Sequence, residues 1–276
     1  MKKIAYIPFL ISVVIIACNG NEPGKDGDGS TPPPPVIPYT VVNTYPHDTT
    51  FFTEGLEFHQ GQLFESSGSG SSEAGEPGAY PSAFGITDLK TGKVSIKAEL
   101  DKKTYFGEGI TFFKDKVYEL TYKNLVGYVY DAGTFKKIKE FPLHTATNEA
   151  WALTHDSVNL IMSDGSNNLY FLHPDSLRVM YQVSVTDNHG PVPNINELEY
   201  VNGYIYANQW LTPYIFKIDA VSGKVVGRLD LTNIDNEIKS KYPESREMNG
   251  IAFNPSNNNL FITGKLWPFI YELKLQ

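Results

Sequence analysis

Apolar residues recur along this chain in short bursts. Five segments repeat one arrangement of apolar and polar places: Glu54-Gly-Leu-Glu-Phe58, Glu108-Gly-Ile-Thr-Phe112, Trp151-Ala-Leu-Thr-His155, Asn196-Glu-Leu-Glu-Tyr200 and Asn249-Gly-Ile-Ala-Phe253. Each reads as a short strand with an apolar residue at its third place (Leu56, Ile110, Leu153, Leu198, Ile251). Each leads through a turn, clearest at Asn202-Gly203, into a second apolar strand. The two strands start nine residues apart in four units and eleven in the last, where Asn254 to Asn259, with Pro255 inside, lengthens the turn. The units themselves start 54, 43, 45 and 53 residues apart. That is the period of a repeat architecture.

Two further strands follow in each unit. The third often ends in Asp and a turn, as at Ile86-Thr-Asp88, Tyr130-Asp131 and Ile218-Asp219, and the fourth is exemplified by Val94 to Leu100 and Val225 to Leu231. Four antiparallel strands per unit predict an all-β protein, a β-propeller, and residues 38–276 hold about five blades. The last unit has only three strands, ending at Phe269 to Leu275, while Tyr39 to Tyr45 lies before the first unit and reads as a strand. It is expected to complete the last blade, closing the ring and covering a bare sheet edge. Two insertions stand out: Ser66 to Ala83, Gly/Ser-rich and expected to be mobile, and Leu231 to Met248, with room for one short helix.

Propeller geometry carries these patterns to a site. The first strand of each blade lines the central channel, and the second runs back to the face where the first began. Strand openers (Glu54, Glu108, Trp151, Asn196, Asn249) and strand closers (Gly68, Tyr122, Gly165, Trp210, Lys265) should therefore meet on one face. Fourteen residues separate opener from closer in four blades and sixteen in the last. Carboxylates, carboxamides, an ammonium and indoles then converge, and Trp267 lies two residues past Lys265. Strand-start polar residues can also serve only to cap blade backbones, but a purely structural repeat would tend to reuse one residue type rather than vary it.

Composition narrows the chemistry. With 23 Lys+Arg against 31 Asp+Glu, the net charge of −8 argues against a non-specific nucleic-acid binder. A single Cys excludes an internal disulfide framework and a Cys-cluster metal site, and the six His show no metal-ligand spacing. No Gly-rich phosphate loop or Gly-x-Ser-x-Gly elbow is present. The lone Cys sits at the end of a basic start (Met1-Lys2-Lys3) and an apolar run, Ile4 to Ala17, too short to span a bilayer. Ile15-Ile16-Ala17-Cys18 resembles a bacterial lipobox. Residues 1–17 are thus expected to be a lipoprotein signal peptide and Cys18 a lipidation site. Residues 18–37, rich in Gly, Asp and Pro, are expected to be a flexible tether with a stiff proline run. The expected location is the bacterial cell envelope, with membrane contact only through the lipid.

The chain resembles the plant and bacterial glutaminyl-peptide cyclotransferases over residues 39–276. The resemblance rests on Phe52-Thr-Glu-Gly-Leu56, Phe106-Gly-Glu-Gly-Ile-Thr111, Glu149-Ala-Trp-Ala-Leu-Thr154, Asn196-Glu-Leu-Glu-Tyr200, Ala207-Asn-Gln-Trp210, Asn249-Gly-Ile-Ala252 and Thr263-Gly-Lys-Leu-Trp-Pro268. It implies a five-bladed propeller that closes an N-terminal Gln of a peptide or protein into pyroglutamate and releases ammonia. It further implies Glu108 as general acid/base, with Asn196, Trp210 and Lys265 at other site positions. Two departures matter: Glu54 stands where the family often has Gln, and Ala150-Trp-Ala152 where it often has Gly-Trp-Gly.

The chemistry suits these residues. Attack is intramolecular, so positioning supplies much of the acceleration. Glu108 can shuttle a proton to the leaving nitrogen, while Lys265 and Asn196 stabilise the oxyanion. Glu54, Trp151, Trp210, Asn249 and Trp267 are expected to bind substrate. No cofactor is required, although a structural Ca2+ in the channel stays open, and a monomer is expected. The rival readings are a calcium-dependent lactonase-like hydrolase using Glu54, Glu108, Asn196 and Asn249, and a non-enzymatic peptide- or glycan-binding propeller.

Overall fold

In the computed structural model, which describes residues 32–69 and 78–276, the repeated bursts become five four-stranded antiparallel sheets. Strand β1 (Tyr39–Pro46) comes first. Blade I is β2 (Thr53–His59), β3 (Gln62–Ser67), β4 (Ala83–Thr87) and β5 (Val94–Glu99), and blade II is β6 (Gly107–Phe113), β7 (Lys116–Thr121), β8 (Val126–Asp131) and β9 (Lys137–Pro142). Blade III is β10 (Leu153–His155), β11 (Leu160–Ser163), β12 (Asn168–Leu172) and β13 (Val179–Ser184), followed by a small hairpin, β14 (Thr186–Asp187) and β15 (Gly190–Pro191). Blade IV is β16 (Ile195–Val201), β17 (Tyr204–Gln209), β18 (Tyr214–Asp219) and β19 (Val225–Asp230). Helix α1 (Thr232–Lys241) then occupies the second insertion and packs Ile234 and Ile238 into the core. Blade V is β20 (Met248–Asn254), β21 (Asn259–Gly264) and β22 (Phe269–Leu275), completed by β1.

β1 pairs antiparallel with β22, from Tyr39 opposite Leu275 to Pro46 opposite Phe269, so the edge of the three-stranded last unit is covered as the strand count required. His47, just past β1, pins this closure. Its Nε2 lies 2.8 Å from Glu65 Oε1 in blade I and its Nδ1 2.6 Å from the Trp267 carbonyl in blade V, all out of water.

The inner strands β2, β6, β10, β16 and β20 each touch the inner strands of both neighbouring blades, forming a ring. The third-place residues point between blades and are at most 3% exposed. At the second place a small residue lets the ring close tightly: a Cβ at Gly109 would stand 2.5 Å from Leu153 N. Glu197 is the exception and fills the space, accepting the N–H of Leu56 (3.2 Å) and Ile251 (2.8 Å). One layer on, Glu57 accepts from Phe112 N (3.1 Å) and Glu199 from Phe253 N (2.7 Å). These three carboxyls satisfy edge N–H groups of other blades that would otherwise be buried unpaired. Burial pushes Glu57 up to about 8 and Glu197 and Glu199 well above the carboxylate range.

Residues 32–37, the end of the expected tether, run along β19. Arg228 N donates to Pro35 O (2.9 Å), Ile37 N to Arg228 O (2.8 Å), and Ile37 packs over Gly227. The expected signal segment 1–17, Cys18 and the rest of the tether lie outside the described residues, as do residues 70–77 of the first insertion, whose opening Ser66 and Ser67 close β3.

Candidate active site

Four blades bring opener and closer together through one backbone contact, and in blade III Trp151 N donates instead to Ser163 O (3.0 Å). The closer's N–H donates to the carbonyl two residues before the opener: Gly68 to Phe52 (2.9 Å), Tyr122 to Phe106 (3.0 Å), Trp210 to Asn194 (2.8 Å) and Lys265 to Glu247 (2.9 Å). In blades I, II, IV and V the ladder register shifts across the opener, between Thr53 and Gly55, Gly107 and Ile110, Ile195 and Leu198, and Met248 and Ile251. Such irregularities re-aim a side chain. They turn the openers at the face where the closers end.

The result is a cavity of about 260 Å³. Glu54, Glu108, Trp151, Asn196, Trp210 and Lys265 line it, as the strand geometry required, and so does the closer Tyr122. Phe52, Phe106 and Glu247 complete the lining. All three stand two residues before an opener, a repeat position whose side chains share the opener's face. That spacing was their signal in the sequence.

Two residues expected to bind substrate do not reach the cavity. Asn249 is 1% exposed and stands behind Glu54, its Nδ2 donating to Glu54 Oε2 (3.1 Å) and to Thr53 O (3.0 Å). Trp267 is fully buried in the core, its Nε1 donating to Arg246 O (2.9 Å). The chain turns sharply after Lys265, with Leu266 at φ 60° and Trp267 N bonded to Gly264 O (3.0 Å), so the indole folds back over Gly264 instead of continuing along the face.

Aromatic groups form the walls, and glycine closers make room for them. The Phe106 ring lies where a side chain at Gly68 would be, and the Trp151 indole where one at Gly165 would be. Trp151 meets Trp210 edge to face at 5.5 Å, and Phe52 meets Phe106 likewise at 6.1 Å. Glu149 orients two wall groups at once, accepting from Trp151 Nε1 and Tyr122 Oη, both at 3.0 Å.

The charges are concentrated at one side. Lys265 Nζ is 2.8 Å from Glu54 Oε1 and 4.6 Å from the Phe52 ring centre. Burial disfavours the ammonium, but the Glu54 and Glu108 carboxyls outweigh it and raise Lys265 above its ordinary value. Burial lifts Glu54 to about 7 even with Lys265 beside it. Glu108 is raised further, by burial and then by the Glu54 charge, and has no ion pair of its own among the described residues. Of the two carboxyls Glu108 is thus the one biased toward its protonated form, and Glu54 is the one that lies against the Lys265 ammonium. Glu108 Oε2, Asn196 Oδ1 and Glu247 Oε2 are buried with no hydrogen-bond donor among the described residues. Among the described residues the pocket is thus rich in acceptors and has one cation, already paired. Among the described residues no three His, Cys, Asp or Glu side chains are grouped to hold a metal ion.

The sequence matches the glutamine cyclotransferase family over residues 10–275. The chain belongs to this family. It is 35% identical over 239 residues to the glutaminyl-peptide cyclotransferase of Arabidopsis thaliana, covering 86% of this chain and 71% of the plant protein. The fold of this cyclotransferase matches the crystal structure of Myxococcus xanthus glutaminyl cyclase with a TM-score of 0.76 at 30% identity, covering 88% of this chain and 98% of that one.

Proposed function

We propose that this cyclotransferase converts the N-terminal glutamine of peptides and proteins into pyroglutamate and releases ammonia. The observation that carries the reading is the cavity itself: a buried carboxyl biased toward its protonated form (Glu108), a carboxamide (Asn196) and an ammonium (Lys265) facing one small space between two indoles. Its unpartnered acceptors on Glu108, Asn196 and Glu247 suit a ligand rich in N–H groups, and an N-terminal glutamine offers an α-amine and a side-chain amide.

The α-ammonium, with an ordinary pKa of about 8, first loses a proton to water. The neutral amine then attacks the carboxamide carbon, forming the ring C–N bond and placing negative charge on the carboxamide oxygen. Lys265 keeps N–H donors beyond the one on Glu54 and, with Asn196, stabilises that oxygen. Glu108 gives its proton to the leaving nitrogen. The exocyclic C–N bond breaks, ammonia departs, and Glu108 recovers a proton from the ring nitrogen, so protons balance over the cycle. Trp151 and Trp210 restrict the methylenes of the substrate and exclude water. Catalysis in this scheme requires no metal. The calcium-dependent hydrolase reading is not favoured, because the Lys265 ammonium already occupies one of the oxygens such an ion would need.

A lipid on Cys18 would tether the enzyme to the cell envelope, with residues 19–31 as spacer, the enzyme working as a monomer. Radiolabelled fatty-acid incorporation, lost in Cys18→Ser, tests the anchor. A coupled ammonia assay on a Gln-initiated dipeptide, with and without chelator, tests the activity. Glu108→Gln should keep the native circular dichroism and lose roughly 10²–10⁴-fold in turnover. Activity within a few-fold of wild type removes Glu108 from its role.

A further inference from the structure

Glu54 lies on blade I and Lys265 on blade V, and the two meet where the inner edges of the first and last blades adjoin. The pair is built rather than incidental. The side chains of Lys265 and Glu54 are 9% and 2% exposed, Nζ sits 2.8 Å from Oε1, and Asn249 Nδ2 fixes the other carboxylate oxygen at 3.1 Å. Lys265 is the one cation that lines the cavity among the described residues, against the carboxyl groups of Glu54, Glu108 and Glu247.

Glutamine and glutamate have the same shape, so indole walls cannot separate them. They differ in charge and in hydrogen-bond polarity. A glutamine side chain is neutral and brings two N–H donors to a pocket whose Glu108 Oε2, Asn196 Oδ1 and Glu247 Oε2 lack them. A glutamate side chain brings a negative charge and acceptors only. An unpaired Lys265 would anchor that charge, whereas a Lys265 already paired with Glu54 leaves it buried without a counter-charge.

We infer that Glu54 is a specificity-determining residue: by pairing with Lys265 it withholds that cationic anchor from the γ-carboxylate of an N-terminal glutamate, so that the cavity accepts glutamine and rejects its acid analogue. The inference rests on the cyclotransferase reading above. It assigns to Glu54 a task different from holding the substrate amine, which is common to both ligands and cannot discriminate between them.

The test is a calorimetric titration of wild type and Glu54→Gln with the dipeptides Gln-Ala and Glu-Ala at neutral pH, ammonia release from Gln-Ala being measured on the same preparations. A buried carboxylate left without a counter-charge predicts a wild-type preference for Gln-Ala over Glu-Ala of roughly 100-fold or more. In Glu54→Gln the preference should shrink by about tenfold or more, chiefly through tighter Glu-Ala binding, and the double variant with Lys265→Gln should lose that gain. Glu54→Ala, which removes the carboxylate without an isostere, should move the ratio in the same direction and keeps the test open if Glu54→Gln does not fold. A ratio unchanged in either single variant, both dipeptides weakening alike, overturns the inference. So does a gain that persists without Lys265. Absence of ammonia from wild type refutes the cyclotransferase reading instead, and the binding ratio still reports on the Glu54–Lys265 pair.

Discussion

Glu119 holds the place in blade II that Glu65 holds in blade I: each faces the third-place residue of its inner strand, Ile110 and Leu56. Glu65 has the His47 imidazole at 2.8 Å and hydroxyls from Thr53 and Thr87. Glu119 has only the Tyr130 hydroxyl, which donates to Oε2 at 2.6 Å, and its buried Oε1 has no donor among the described residues. Burial therefore moves its carboxyl from an ordinary 4.5 to about 8. The sign follows from linkage. Between those values the folded chain holds a proton that the unfolded chain has released, so stability falls as pH rises. One proton is worth about 1.4 kcal/mol per pH unit, and with the folded group half-titrated at the upper end the loss between about pH 6 and about pH 8 is roughly 2 kcal/mol. Glu119→Gln keeps an acceptor for Tyr130 and removes the titration. Urea unfolding of both proteins at the two pH values gives the comparison: the variant's stability, relative to wild type, should improve by roughly 2 kcal/mol on going to the higher pH. A difference between the two proteins that is the same at both pH values refutes the assignment of a buried, protonated Glu119.

Other expectations follow from the same contacts. Gly165 has φ 77°, and a Cβ there would stand 2.4 Å from Trp151 Cζ2, so Gly165→Ala combines backbone strain with displacement of a wall indole. A loss of kcat/KM of roughly tenfold or more, with altered tryptophan fluorescence in a folded protein, is the expected outcome, and unchanged kinetics would show that the indole's place is unimportant. His47 is raised above its ordinary value because the Glu65 carboxylate and the Trp267 carbonyl outweigh the burial that opposes its charge. Its contribution to stability is fully present below about 6.5 and is lost as pH climbs through the raised value. His47→Ala leaves Glu65 buried without a counter-charge and should cost about 3–5 kcal/mol in chemical denaturation; a loss under about 1 kcal/mol would mean that ring closure does not depend on the pair.

Much of the site was readable because it rests on local rules. Opener and closer belong to one antiparallel pair, and a fixed spacing along two strands decides that they end together, whatever the rest of the fold does. That is why Glu108, Trp151, Trp210 and Lys265 could be brought to one mouth from residue numbers alone. The position two residues before each opener obeys the same parity, so Phe52, Phe106 and Glu247 were within reach of the argument. Trp267 was not, because the turn at Leu266 breaks the parity immediately after Lys265.

The repeat in the sequence determined the fold: five bursts of strand-forming residues, each unable to bury its apolar third place alone, and a spare N-terminal strand matched to a blade one strand short. Which charge answers which was decided only in three dimensions. Glu54 and Lys265 are 211 positions apart and become partners through ring closure. Glu57, Glu197 and Glu199 are buried because neighbouring inner strands present unpaired N–H groups to their carboxyls. Proton affinities in the pocket likewise follow from how many carboxyls share a dry space with one ammonium. Alternation along a strand is a property of the local chain, whereas burial and electrostatic partnership are sums over everything the tertiary structure brings near.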